Sequence, residues 1–134
     1  MLLLDAGVWV ALGEPESAHH SHARELVLEV GTPLAALDLT LYEVANVVGA
    51  KKGRRDDAAR IVRLLVKRCQ DDPVVLDPDL LDAVLRVSEE HGLTAYDAAY
   101  VAAAERHRWT LVSTDVRDLV SRGLAVTPDA ALYP

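Results

Sequence analysis

The chain has no phenylalanine, one cysteine and fewer basic than acidic side chains. Without Phe, the interior falls to Leu, Val and Ala, which suits a compact α/β core packed from aliphatic groups. The single cysteine, Cys69, excludes an internal disulfide and fits a reducing cytosol. It reads most simply as a small buried or half-buried hydrophobe. Fourteen Lys and Arg stand against 21 Asp and Glu, a net charge of −7. That balance excludes a protein that spreads a basic surface over nucleic acid. Any such contact must rest on a local basic patch or on a bound metal. No uncharged stretch is long enough to span a bilayer. The opening MLLLDAGVWVALGEPE has no basic region before its apolar run, and Asp5 interrupts that run, so it does not read as a signal peptide.

What is present is apolar content: 51% of 134 residues, enough to bury a core and expected to form one domain over residues 1–134. Short apolar runs at Leu2–Leu4, PLAAL (33–37), PVVLD (73–77), TLVST (110–114) and LAVTP (124–128) read as strands. Between them lie helical patterns. GVWVAL follows Asp5, and Ala23, Leu26, Val27 and Val30 form a stripe ending at Gly31. Leu41, Val44, Ala45 and Val48 share a face, and RRDDAARIVRLLVKRCQ is amphipathic with a basic outer side. PDLLDAVLRVSEEHG has Pro78 in its first turn and Gly92 at its end. LTAYDAAYVAAAE and DVRDLVSRG complete the set. Strands separated by helices predict an α/β fold, a mostly parallel sheet with helices on both faces.

Asp97 is the anomaly in this pattern. From Ala95 to Ala104 nothing else is charged. A helix apolar on nearly every side packs inside, and an ionised carboxylate there needs a helix-end hydrogen bond, a cation or a shifted pKa. Sites in parallel sheets form beyond the carboxyl ends of the strands. Asp5 ends the first strand, and Asp115 follows the TLVST strand. Glu43 lies on the helix after the second strand, and Asp97 near the start of the helix that feeds TLVST. Connectivity therefore places Asp5, Glu43, Asp97 and Asp115 on one rim. Four carboxylates in one cleft require protons or cations, and oxygen-only donors suit Mg²⁺, with Mn²⁺ able to substitute, rather than Zn²⁺. Such a cation activates water, orients a phosphate and stabilises a leaving oxygen, the three needs of phosphodiester hydrolysis.

Each acid also has a structural reading. Thr94–Asp97 and Thr40–Glu43 have capping-box spacing, and Asp5 and Asp115 stand where they would cap the segments that follow. Capping and ligation are compatible, because a helix N-terminus can orient a carboxylate that also binds metal.

MLLLDAGVWVAL, LTLYEVANVV, LTAYDAAYVAAAE and LVSTD together resemble, in order and over nearly the whole chain, the motifs of PIN-domain proteins, and most closely the VapC-type toxins of toxin–antitoxin pairs. YDAAYVA is the most distinctive piece. The resemblance implies a PIN-like three-layer domain with a short, mostly parallel sheet flanked by helices. It implies a cytoplasmic Mg²⁺-dependent endoribonuclease acting on RNA, a cognate VapB-type antitoxin, a homodimer, and a heterotetramer or larger assembly with the antitoxin. Carried over by position, Asp5, Asp97 and Asp115 are the principal metal ligands, and Glu43 helps hold metal or positions the attacking water. Ser113 matches the family's hydroxyl residue two before the last acid. Many relatives carry Ser or Thr two residues after the first Asp; here that place is Gly7. Asp118 reads as a solvated helix position near the last acid, or as support behind the ligands.

KKGRR with Arg60, Arg63, Lys67 and Arg68 reads as a wall for RNA phosphates, a seat for an acidic antitoxin tail, or a solvated face beside Asp56 and Asp57. The resemblance also implies an apolar groove around these helices that the antitoxin fills. His19, His20 and His22 lack a second cluster at zinc-site spacing and read as a polar loop entering a helix. Trp9 and Trp109 read as packing residues, and Tyr96 and Tyr100, which flank Asp97, as packing residues or as lining of a substrate cleft. Aspartyl-phosphate chemistry is disfavoured, because Gly7 replaces a second Asp and the last Lys is Lys67. The rival that stands is a catalytically inactive PIN-like binding module whose acids serve as caps.

Overall fold

The computed structural model describes all residues from Met1 to Pro134. Three short strands form a parallel sheet: β1 (Leu2–Leu4), β2 (Leu34–Ala35) and β3 (Thr110–Val112), in the order β2-β1-β3. Helices connect them: α1 (Ala6–Leu12), α2 (His20–Arg24), α3 (Asp38–Val44), α4 (Arg55–Arg68), α5 (Pro78–His91), α6 (Ala95–His107) and α7 (Pro128–Leu132). Widened turns with i→i+5 bonding extend α2 over Glu25–Glu29 and α3 over Ala45–Lys51, and a third forms Val116–Val120 after β3.

Two strands expected from sequence shrink to single bridges. Val74 pairs with Leu37 and Val126 with Val112, each continuing the sheet by one parallel contact. The 73–77 run is apolar, but its Val75 and Leu76 are exposed, so little burial holds it to the sheet. Residues 128–132 form α7, for which no helix was expected; Thr127 caps it and Pro128 stands in its first turn.

Alternation along the strands sorts the core into two layers. Leu4, Leu34, Ala36 and Val112 pack with Trp9, Val44, Val48, Ile61 and Leu65 from α1, α3 and α4. Leu3, Ala35, Leu37 and Leu111 pack with Val84, Val87, Ala98, Val101 and Ala102 from α5 and α6. Helix α6 buries Ala98 and every residue from Tyr100 to Ala104, as its uniformly apolar sequence requires. Thr94 starts it by accepting from Asp97 N–H at 3.2 Å. Helix α5 starts at Asp77, which accepts from Leu80 N–H at 2.7 Å, and ends at Gly92 with φ of 64°.

Helix α3 begins three residues earlier than the Thr40–Glu43 capping box supposes. Leu37 is its N-cap, and Thr40, in the first turn, accepts from Leu37 N–H at 3.3 Å. That box does not form, so Glu43 sits one turn further along and is free of a capping role.

Candidate metal centre

All the acids singled out from sequence lie at or beyond the carboxyl ends of β1 and β3, or on the helices that start at that edge. Asp5 directly follows β1. It is 8% exposed, and both of its oxygens are engaged: Oδ1 accepts from Val8 N–H at 3.2 Å and Oδ2 from the Ser113 hydroxyl. The same Ser113 oxygen accepts from Asp115 N–H at 2.9 Å, tying the ends of β1 and β3 together. Burial pushes the Asp5 carboxyl up from 3.8 to about 6. Ser113 and Val8 oppose that rise, while the charges of Glu43 and Asp97 add to it.

Glu43 is half-buried and held from the opposite core layer. Tyr100, on α6, donates its hydroxyl hydrogen to Glu43 Oε1 at 2.7 Å. The Thr40 and Tyr100 hydroxyl oxygens lie 3.0 Å apart. Because Tyr100 donates to Glu43, Thr40 donates to Tyr100, and the chain ends at Leu37 N–H, which donates to Thr40. Burial raises the Glu43 carboxyl, the Tyr100 bond lowers it, and the nearby Asp97 charge raises it.

Asp97, Asp115 and Asp118 form the open part of the site. One carboxylate oxygen from each lies within 4.8 Å of the others. Asp115 takes its place by accepting from Asp118 N–H at 2.9 Å, and that turn swings Asp118 back toward Asp97. Asp97 is raised by burial and then by the charges of Asp115 and Asp118. Arg122 approaches Asp118 at 3.8 Å across an exposed surface and screens it only weakly.

Of the four acids read from sequence, Asp97 and Asp115 thus share one tight group. Asp5 and Glu43 stand outside it, within electrostatic reach. Asp118, read as a solvated position, joins the tight group, and its three-residue spacing from Asp115 is the signal that points to it. Tyr100, read as a packing residue, is buried as expected but also supplies a hydroxyl to Glu43. The donors are all oxygen and lie in a dense patch of like charge, and the carboxyls of Asp5, Glu43 and Asp97 are raised in proton affinity. That set fits a hard divalent cation of the Mg²⁺ or Mn²⁺ kind and not a thiolate- or imidazole-seeking metal.

The other sequence features lie elsewhere. His20 Nδ1 contacts the Ala11 carbonyl at 2.8 Å, and no histidine joins an acid group able to hold metal. Cys69 is buried. Much of the basic stretch is tied into the fold. Arg54 pairs with Asp57 and donates to the Gly13 carbonyl, Arg60 pairs with Asp57, and Lys52 with Glu14. Arg68 donates to the Val27 and Val30 carbonyls. No helix is long and apolar enough to cross a membrane.

Comparison with known proteins bears on the family and the fold. The sequence profile of the PIN domain matches residues 2–121. Ribonuclease VapC3 of Pyrobaculum aerophilum is 35% identical over 132 residues, covering 95% of this chain and 98% of that protein. Exonuclease VapC9 of the same organism is 45% identical over 91 residues, a match that spans 66% of each chain. A structure of a toxin–antitoxin complex from Klebsiella pneumoniae superposes with a TM-score of 0.72 at 19% identity, covering 96% of this chain and 98% of that one.

Proposed function

The chain belongs to the PIN-domain family, and from that premise we propose that it is a metal-dependent endoribonuclease of the VapC toxin type, restrained by a VapB-type antitoxin. The observation that carries the proposal is the convergence of Asp97, Asp115 and Asp118 within 4.8 Å, beside the buried Asp5. The 35% identity to a protein named as a ribonuclease, over nearly the full length of both chains, supports the choice of RNA.

In this reading Asp97, Asp115 and Asp5 hold Mg²⁺, and Mn²⁺ can substitute. When bound, the cation supplies the Lewis acidity that activates water and steadies the charge on the leaving oxygen. Ser113 fixes the Asp5 carboxylate. Tyr100 occupies one oxygen of Glu43, leaving the other to orient the attacking water or to assist in holding metal. Asp118 adds charge behind Asp97 and Asp115. The chain thus contributes orientation and preorganised negative charge.

An antitoxin partner is supported by the toxin–antitoxin complex among the structural neighbours. A homodimer is supported by an apolar cavity of about 270 Å³ between α3, α5 and α6, lined by Leu39, Tyr42, Leu81 and Tyr96 among others. The side chains of Tyr42, Leu76, Leu81 and Tyr96 stand exposed on that face.

One observation favours a second reading, a binding module without catalysis. Asp5 and Asp115 do cap the segments that follow them. Incubation of the partner-free protein with total RNA, in Mg²⁺ or EDTA and beside Asp97→Asn, separates the two. Discrete Mg²⁺-dependent cleavage that is absent from the folded variant supports the ribonuclease. No cleavage together with no Mg²⁺ stabilisation supports the module.

A further inference from the structure

Gly7 lies in the first turn of α1 with ordinary negative φ, so its backbone does not call for glycine. Within a helix glycine is less favourable than alanine. The reason for it lies in what its missing side chain admits. A Cβ at position 7 would fall 2.2 Å from Thr114 Oγ1 and 3.3 Å from Asp5 Oδ1. The first distance is far inside contact, so the Thr114 hydroxyl fills the space that any side chain at position 7 would take.

Thr114 stands between Ser113 and Asp115, at the junction of the buried and open parts of the cleft. The cleft is otherwise walled by carboxylates, which only accept hydrogen bonds when ionised. Its other buried hydroxyls have their hydrogens committed: Ser113 to Asp5, Tyr100 to Glu43 and Thr40 to Tyr100. Asp5 is likewise satisfied by Val8 and Ser113. Thr114 is half-buried, its Oγ1 and Asp5 Oδ1 both border the space that a side chain at position 7 would take, and its hydroxyl is a neutral donor open to a ligand on the Asp5 side of the cleft.

We propose that Thr114 is a substrate-positioning residue. Its hydroxyl, admitted by the absent side chain of Gly7, donates a hydrogen bond to a phosphate oxygen brought to the Asp5 side of the cleft. The inference rests on the ribonuclease reading of this site. Thr114 and Gly7 then act as one unit: adding a side chain at position 7 and removing the hydroxyl at 114 disable the same contact.

The test uses the full chain and four variants: Thr114→Val, Thr114→Ser, Gly7→Ala and Gly7→Ala/Thr114→Val. Two readouts are taken, Mg²⁺-dependent cleavage of total RNA and the rise in Tm when inorganic phosphate is added in the presence of Mg²⁺. Thr114→Val and Gly7→Ala should each lose about tenfold or more in cleavage and lose the phosphate-induced rise, while keeping the Mg²⁺-induced one. Thr114→Ser should restore both. The double variant should be no worse than the poorer single one, because both changes remove one contact. Wild-type cleavage that survives Thr114→Val within about twofold, with the phosphate response intact, would overturn the role of Thr114 and leave the ribonuclease standing. A wild-type protein with neither cleavage nor a Mg²⁺ response would overturn the ribonuclease reading itself, and this inference with it.

Discussion

The cleft has two halves, and they treat negative charge in opposite ways. In the buried half, Asp5 and Glu43 are each held by a hydroxyl, from Ser113 and Tyr100, and those hydroxyls are themselves held by further bonds. In the open half, Asp97, Asp115 and Asp118 face one another, and the chain answers them only with Arg122, 3.8 Å from Asp118 on an exposed surface. The buried half is oriented by the chain's own donors. The open half is an arrangement that the chain brings together but does not neutralise. Hydroxyls fix the geometry of buried acids at modest energetic gain, whereas clustered carboxylates need a counter-charge from outside.

The largest expected effect breaks the open half. Asp97→Asn should lower RNA cleavage by about two orders of magnitude or more, since the proposed reading makes Asp97 a principal ligand. The fold should remain, and metal-free stability should stay level or rise, because one repelling charge is gone; cleavage assays and thermal melts in EDTA check both.

The buried half is expected to show itself in the pH dependence of the metal-free protein. The Asp5 carboxyl moves from 3.8 to about 6 on folding. Below 3.8 it is protonated in both states. Between these values the unfolded chain has released a proton that the fold retains, so stability falls as pH rises and the loss is complete above about 6. The size is about 3 kcal/mol. Glu43 and Asp97 are raised too and act in the same direction. Urea melts across this range should show the decline, and Asp5→Asn should flatten most of it.

Smaller effects sharpen the contrast. Tyr100→Phe leaves Glu43 and Thr40 without their shared partner. It should cost about 1–2 kcal/mol in stability by urea melts, and about tenfold in cleavage through misplacement of Glu43. Asp118→Asn should have the mildest outcome, a weaker Mg²⁺ midpoint by about threefold to tenfold in a thermal titration, since its charge is partly answered by Arg122. A loss as severe as that of Asp97→Asn would make Asp118 a principal ligand.

The sequence made the rim legible because strand ends and helix starts are local events. Asp5 and Asp115 follow apolar runs directly, and Thr94 and Asp97 carry their own cap spacing. The same locality misplaced the start of α3, where Thr40 looked like a cap but serves the Leu37 N–H from inside the helix. It also promised a strand at 73–77, where only Val74 meets a neighbour. The bond from Tyr100 to Glu43 spans 57 residues, and Thr114 lies more than a hundred positions from Gly7. Nothing in either neighbourhood announces these contacts, because packing across the two core layers creates them.

The central claim is that the open half closes on a divalent cation. Its most direct test is a Mg²⁺ titration of Tm at neutral pH for the wild type and Asp97→Asn. The account predicts that Mg²⁺ at a hundred times its Kd stabilises the wild type by about 2.7 kcal/mol, a rise of several degrees, and leaves the variant nearly unmoved. An unshifted wild type, or an equal shift in both proteins, would contradict it.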